Sequence, residues 1–148
     1  MSELQIKVRA LFDAYGYRSD AALHNPPTED IDGVVASFAP FFVESSPKGV
    51  FGGANDDTFR AAIAPGFAHY REVGGKHMTI TNVVVTELDD LHAIAHVDWD
   101  FAYTNKAGTS GHVAFRNLYF VTVVSGDAKI FAYITPDEER AMQDHGLV

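Results

Sequence analysis

Alternating hydrophobic and polar positions dominate the second half of the chain. Three long segments show this period, at His77–Glu87, Leu91–Tyr103 and His112–Ser125, and a shorter one follows at Lys129–Ile134. A period of two residues is typical of strands that bury one face. Because the connections between the segments are short, the pattern predicts an antiparallel meander.

The first 75 residues instead repeat apolar side chains every three or four positions, as amphipathic helices do. The repeat predicts a first helix over residues 3–22, stopped by the proline pair that follows. A second, short helix is expected with Asp30 or Thr28 as its cap and Pro40 at its end. A third helix is expected to begin near residues 55–57, to be kinked or split at Pro65 and Gly66, and to end at Gly74 and Gly75.

The remaining segments are short. Residues 41–44 are predicted to form a short strand, residues 52–54 a glycine-rich loop, and residues 137–145 a closing helix. Helices followed by a long meander predict an α+β fold in which one face of the sheet packs on the N-terminal helices. A curled sheet closed by helices forms a cup, and a cup is a common site for a small-molecule ligand.

The register of the meander decides which side chains face that cup. A two-residue turn at Asp89 and Asp90 would set Leu88 opposite Leu91. The pairs that follow from this turn are Ile80–Trp99, Asn82–Val97 and Val84–Ala95, with Val97–Asn117 and Ala95–Tyr119 in the next hairpin. Both members of each of these five pairs are then expected on the concave face.

The opposite face is expected to carry an apolar patch. Its members are Val83, Val85, Ile94, Leu118 and Phe120. Large exposed apolar patches usually mark a partner surface. A two-fold homodimer packed sheet to sheet is the simplest prediction; a slipped register would instead bury these residues under the helices.

Composition narrows the class of protein. A chain of 148 residues is long enough for a single domain with its own core, and its formal charge of −9 disfavours binding to nucleic acid. The absence of cysteine excludes disulfides and thiol nucleophiles. Residues 1–9 lack an apolar signal core, and no run is long enough to span a bilayer. We therefore expect a cytoplasmic protein with no membrane contact.

Three polar side chains are predicted on the apolar concave face: Asn82, Asn117 and Tyr119. An unpaired buried polar group costs about 1–3 kcal/mol, so these residues pair with one another, with helix side chains such as Tyr15 or His69, or with a ligand. Tyr15 and His69, on the helices, are the candidates that could move a proton, together with Tyr119.

Four aromatic residues are expected to form the apolar wall of the cup. They are Phe67, Tyr70, Trp99 and Phe101, which either bind the ligand or serve only the core. No metal or nucleotide site is predicted. His92 and His96 are four apart on a strand, about 13 Å, too far for one ion. Arg116 is expected opposite Asp98 or Asp100, where it would form an ordinary cross-strand ion pair. The glycine-rich loop lacks a phosphate-binding lysine.

Four segments resemble a known superfamily. They are residues 30–39, residues 42–47, the Arg-Asn-Leu-Tyr sequence at 116–119 and the Asp-Gly-containing turn at 125–130. In order and spacing they are similar to ketosteroid isomerases and SnoaL-like polyketide cyclases of the nuclear transport factor 2-like superfamily. The resemblance implies a single domain over residues 1–148 with a cone-shaped, cystatin-like roll, often dimeric.

The resemblance fails at the chemical centre of the ketosteroid isomerases. The family's general-base aspartate falls at Ser46, and a serine hydroxyl is not a base near neutral pH. The family's protonated aspartate falls at Tyr119, whose phenol can donate the same hydrogen bond. The family's helix tyrosine is matched by Tyr15 or Tyr17.

Three functions therefore stay open at the level of sequence. The first is a cofactor-independent isomerase, dehydratase or cyclase that acts on a carbonyl- or hydroxyl-bearing ligand. The second is a ligand-binding protein without catalysis, and the third is a dimerisation module. An enzyme requires a pocket with a titratable group inside, a binding protein requires polar anchors only, and a module requires a filled cup.

Overall fold

The computed structural model describes residues 1–148 and has an open, six-stranded sheet with helices on one face. The helices are α1 (Glu3–Ala21), α2 (Ile31–Ala36), α3 (Asp57–Glu72) and α4 (Glu138–Asp144). The strands are β1 (Phe38–Ser46), β2 (Gly49–Ala54), β3 (Gly75–Glu87), β4 (His92–Thr104), β5 (Ser110–Thr122) and β6 (Lys129–Ile134). The α+β prediction is confirmed.

The strands lie in the order β2-β1-β6-β5-β4-β3. The predicted meander, β3 to β6, is antiparallel throughout. The sheet as a whole is mixed, because β1 runs parallel to β6 and brings its hairpin partner β2 to the edge. The predicted loop at residues 52–54 is wrong. Its glycines offer no side-chain alternation, yet their backbone pairs with β1.

Helix ends follow local capping chemistry. The side chains of Ser2, Asp30 and Asp56 each accept a hydrogen bond from a backbone N–H in the first turn of α1, α2 and α3. The chain turns out of α3 at Gly74, whose φ of 100° lies in the left-handed region that favours glycine. Pro65 lies inside α3, which continues past it, so the helix is not split there.

The predicted register of the first hairpin is correct in one half and wrong in the other. Ile80 pairs with Trp99 as expected, but Asn82 pairs with Asp98 and Val84 with His96. Leu88 donates its N–H to the carbonyl of His92, so the turn is one residue longer than predicted. A β-bulge between Ile80 and Asn82 restores the register.

The bulge reverses the faces of every residue between it and the turn. Val83 and Val85 therefore pack against the core, whereas Asn82 and Val84 are exposed on the outer face. The next hairpin has the predicted register, with Val97 opposite Asn117 and Ala95 opposite Tyr119. The apolar patch of the outer face thus keeps Ile94, Leu118 and Phe120 and loses the two valines.

The core lies between α1 and the concave face of the sheet. Phe12 and Val8 of α1 meet Val97, Val121 and Ile130, and all five are at most 1% exposed. No helix is both long enough and apolar enough to cross a membrane. The core fills the end of the cup nearest the start of α1 and leaves the other end open.

Candidate functional site

The open end of the cup is a cavity of about 260 Å³. It lies between the concave face of β4 and β5 and the helices α1, α3 and α4, and 13 of its 19 lining residues are hydrophobic. A dry apolar cavity of roughly 150 Å³ accommodates benzene. The volume therefore suits a ligand somewhat larger than a single six-membered ring.

Seven of the nine predicted site residues line this cavity: Tyr15, Phe67, Tyr70, Trp99, Phe101, Asn117 and Tyr119. The other two do not. His69 is exposed on α3, one residue before Tyr70, and points away because adjacent helical residues face different directions. Asn82 lies on the outer face beside Asp98, because the bulge turns it over. These two placements correct the prediction.

Tyr119 is the centre of a buried hydrogen-bond network. Its hydroxyl oxygen accepts from Trp99 Nε1 at 3.2 Å and from Asn117 Nδ2 at 3.0 Å. In this orientation of the Asn117 amide, both hydrogen bonds use the Tyr119 oxygen as an acceptor, so the hydroxyl proton is free to be donated. Tyr119 is only 3% exposed, and the network holds its ring rigidly at the cavity wall.

One atom of the Asn117 amide has no partner. Oδ1 is buried and forms no hydrogen bond. Turning the amide by 180° would pair Oδ1 with the Tyr119 hydroxyl and leave Nδ2 without a partner instead. In either orientation Asn117 keeps one unsatisfied polar atom at an apolar cavity, where a ligand can supply the missing hydrogen bond.

Tyr15 brings a second phenol to the same wall. Its ring lies 6.0 Å from the rings of both Trp99 and Tyr119, centroid to centroid. Its hydroxyl forms no hydrogen bond within the protein, whereas its backbone carbonyl accepts one from the Ser19 hydroxyl at 2.9 Å. The Tyr15 hydroxyl is therefore available to a ligand in the cavity.

Two carboxylates that the sequence analysis missed also line the cavity, each paired with a tyrosine. The Tyr133 hydroxyl donates to Glu44 Oε2 at 2.9 Å, and the Tyr70 hydroxyl donates to Glu138. Glu44 is half-buried on β1, whereas Glu138 is exposed at the start of α4. Each tyrosine fixes the position of its carboxylate.

Burial keeps the four phenols of the cavity protonated. Desolvation raises the pKa of Tyr119 to about 12, against the opposing effect of the hydrogen bonds from Asn117 and Trp99. Burial likewise raises the pKa of Tyr15, Tyr70 and Tyr133, and the charge of a neighbouring glutamate adds to the effect in all three. At neutral pH these groups act as neutral hydrogen-bond donors.

Glu44 lies close to the position at which ketosteroid isomerases carry their general base and this chain has Ser46. Ser46, which occupies that position, is absent from the cavity wall and accepts a hydrogen bond from the Lys48 N–H at 3.2 Å. Glu44 precedes Ser46 by two residues on β1, and alternate residues of a strand share a face. The carboxylate of the cavity is thus displaced by two positions along the same strand.

The polar residues on the outer face of the sheet form the ion pair that the sequence predicted. Arg116 Nε donates to Asp98 Oδ1 at 2.7 Å, and the two residues are directly opposite on β4 and β5. The Arg116 guanidinium lowers the pKa of the Asp98 carboxyl. This pair lies outside the cavity and has a structural role.

No protein-family model matches the chain, and no curated protein is similar to it in sequence. Solved structures do match over nearly the whole chain.

A ketosteroid isomerase-like protein from Erwinia carotovora atroseptica SCRI1043 superposes with a TM-score of 0.63 at 20% identity, over 92% of this chain and 97% of that one. A nuclear transport factor 2-like protein of unknown function from Shewanella oneidensis MR-1 gives 0.64 at 12% identity, over 90% and 98%. An uncharacterised protein with a cystatin-like fold from Caulobacter vibrioides gives 0.65 at 15% identity, over 99% of each chain. At these identities the likeness establishes the fold alone: this chain has the cystatin-like α+β cone of nuclear transport factor 2-like and ketosteroid isomerase-like proteins.

Proposed function

We propose that this protein is a cofactor-independent acid–base catalyst of the isomerase or lyase type, acting on a small apolar ligand that bears a carbonyl or hydroxyl group. One observation carries the proposal. The half-buried Glu44 carboxylate lines an apolar cavity that also holds the hydroxyls of Tyr15 and Tyr119. A carboxylate base and neutral hydroxyl donors are the two groups that carbonyl enolisation requires.

The roles follow from the chemistry of each group. Glu44 takes a proton from the carbon next to the carbonyl. The electron pair of that C–H bond forms a carbon–carbon double bond, and the π pair of the carbonyl moves onto its oxygen. Tyr15 and Tyr119 donate hydrogen bonds to this developing oxyanion. Glu44 then returns the proton to another carbon of the same conjugated system. Tyr133 is a positioning residue, because its hydroxyl holds the Glu44 carboxylate.

The Tyr119 network supports its role as the stronger donor. The hydrogen bonds from Trp99 and Asn117 pull electron density from the phenol oxygen, which makes its own proton a better donor. They also fix the ring before the substrate arrives, so no reorganisation is needed during the reaction. Trp99, Phe67 and Phe101 supply the apolar wall that excludes water.

Size restricts the substrate class. A cavity of about 260 Å³ is below the usual range of roughly 300–1,000 Å³ for drug-sized ligands. We therefore propose a monocyclic or short acyclic ketone, enone or hydroxy compound in preference to a four-ring steroid. The open space also argues against a dimerisation module, whose side chains would fill the cup.

Binding without catalysis is the second candidate, and the position of Ser46 favours it. If Glu44 only anchors a ligand hydroxyl, the cavity would hold its ligand unchanged. The two candidates differ in one observable, the exchange of hydrogen at the carbon next to a bound carbonyl.

We also propose that the protein is a homodimer through the outer sheet face. Ile94, Leu118 and Phe120 remain half-exposed there, on the face of the sheet opposite the helices. Phe131 extends this apolar surface, since its ring lies 6.1 Å from that of Phe120.

Deuterium exchange into small cyclic ketones tests the catalytic proposal. Cyclohexanone and 2-cyclohexenone would be incubated in D2O with the native protein and with Glu44→Gln, and followed by NMR. We expect Glu44→Gln to lower the catalysed rate roughly 100-fold or more, and Tyr119→Phe to lower it on the order of 100-fold. Glu72→Gln, at an exposed carboxylate outside the cavity, is the matched control. Equal exchange in the native protein and Glu44→Gln would contradict the proposal.

A further inference from the structure

Two histidines converge on one aspartate at the end of α1. Asp20 lies in the last turn of that helix, His24 in the turn that follows, and His77 near the start of β3. His24 Nε2 lies 3.0 Å from Asp20 Oδ2, and His77 Nδ1 lies 3.0 Å from Asp20 Oδ1. From this geometry we propose that Asp20, His24 and His77 bind a divalent transition-metal ion of the zinc type.

The distances suit such an ion. Zinc binds imidazole nitrogen and carboxylate oxygen at about 2.0–2.2 Å, so tetrahedral ligand atoms lie roughly 3.4 Å apart. The three candidate ligand atoms, one from each residue, all lie within 4.8 Å of one another. The two imidazoles lie 3.0 Å from different oxygens of the Asp20 carboxylate.

The donor set also selects the kind of ion. Two imidazoles and one carboxylate suit zinc, cobalt, nickel and copper, whereas calcium and magnesium prefer oxygen ligands alone. Three protein ligands leave a fourth position to water. The imidazole side chains are 49% and 58% exposed, so an ion can reach them from solvent.

A backbone hydrogen bond orients the Asp20 carboxylate. The backbone N–H of Met78 donates to Asp20 Oδ1 at 3.1 Å, which orients the carboxylate towards the two rings. Outer hydrogen bonds of this kind orient the ligands of metal sites. The rings themselves stand edge to face, with centroids 5.7 Å apart.

Two other histidine–aspartate pairs provide an internal comparison. His112 lies 2.8 Å from Asp100, and His92 lies 2.9 Å from Asp89. Each has a single imidazole, whereas the cluster at Asp20 has two from different elements. Only the cluster at Asp20 brings three candidate ligand atoms within 4.8 Å of one another.

A bound ion would join α1 to β3 beside the cavity. Ser19, Leu23 and Met78 line the cavity, and each is the sequence neighbour of one of the three ligands. The ion would therefore fix one wall of the cavity through the backbone. Because it binds the folded chain, it would also raise the midpoint of thermal unfolding.

The first test is metal binding by the full chain after chelation and dialysis. Isothermal titration with Zn²⁺ should show one equivalent bound, and Zn²⁺ should raise the unfolding temperature. Co²⁺ should give a visible absorption band with nitrogen ligands. His24→Ala and His77→Ala should each lower the affinity roughly tenfold or more, whereas His112→Ala should leave it unchanged.

A second readout needs no substitution. In NMR spectra of the histidine rings, one equivalent of Zn²⁺ should shift the signals of His24 and His77 together and leave that of His112 in place. Absence of stoichiometric binding, or unchanged binding in the His24→Ala/His77→Ala double variant, would overturn the proposal.

Discussion

Replacing Tyr119 by phenylalanine should destabilise the fold by an amount that the hydrogen-bond network predicts. The substitution keeps the ring and removes one oxygen, which accepts from Trp99 Nε1 and Asn117 Nδ2. Each buried donor left without a partner costs about 1–3 kcal/mol. Two donors lose their acceptor, so we expect a summed loss of about 2–6 kcal/mol.

Urea unfolding followed by far-ultraviolet circular dichroism measures this loss. Trp99 is the only tryptophan, so its emission reports separately whether the indole N–H has lost its partner. Tyr17→Phe is the matched control, because Tyr17 is 77% exposed, and we expect it to change stability by less than about 0.5 kcal/mol.

A double-mutant cycle then isolates the contact. Asn117→Ala should cost less in the Tyr119→Phe background than in the native protein, with a coupling of about 1 kcal/mol. If Tyr119→Phe were as stable as Tyr17→Phe, or if the cycle showed no coupling, the network would not exist as described.

Three further predictions address the fold and its partner. Above pH 10 the unfolded chain ionises its tyrosines before the folded one does, because burial raises the pKa of Tyr119 to about 12. The stability that Tyr119 contributes through this pKa shift should be complete below pH 10 and should fall by about 3 kcal/mol between pH 10 and 12. Urea titrations at several pH values measure this fall, which should be smaller in Tyr119→Phe. Gly75→Ala should destabilise by about 1–3 kcal/mol, because a Cβ there would lie 2.7 Å from the Tyr70 carbonyl oxygen; Gly66→Ala, a helical site with open space, should stabilise by up to about 1 kcal/mol in the same assay. Phe120→Asp should convert a dimer to a monomer in light scattering, whereas Lys106→Asp in the hairpin loop should not; a monomeric native protein would contradict the proposed interface.

Local signals in the sequence predicted most of the fold. The caps at Asp30 and Asp56 begin helices as their side-chain chemistry requires, and the period of two residues marks β3, β4 and β5. These features depend on neighbours within a few residues. The register predicted for the β4–β5 hairpin is correct, so Trp99, Asn117 and Tyr119 lie at the cavity as expected.

The sequence-based prediction fails where a single inserted residue, or a pairing between strands far apart in the chain, determines which side chains face the cavity. A single extra residue at the bulge after Ile80 moves Asn82 to the outer face, and no periodicity marks it in advance. Glu44 lines the cavity because β1 pairs in parallel with β6, about 90 residues away in the chain. Glu138 reaches it only because α4 folds back over the open end. Alternation along β1, with Phe42 and Glu44 on one face, was the available signal for Glu44.

NMR of the methionine methyl groups tests the central claim, that the cavity binds a small apolar carbonyl compound. Met78 and Met142 both line the cavity, whereas Met1 is 84% exposed and serves as the internal control. Protein labelled with 13C at the methionine methyls would be titrated with 2-cyclohexenone. We predict saturable shifts of Met78 and Met142, weakened in Tyr119→Phe, with Met1 unmoved. Unchanged signals at saturating ketone, or equal shifts of all three, would contradict the account.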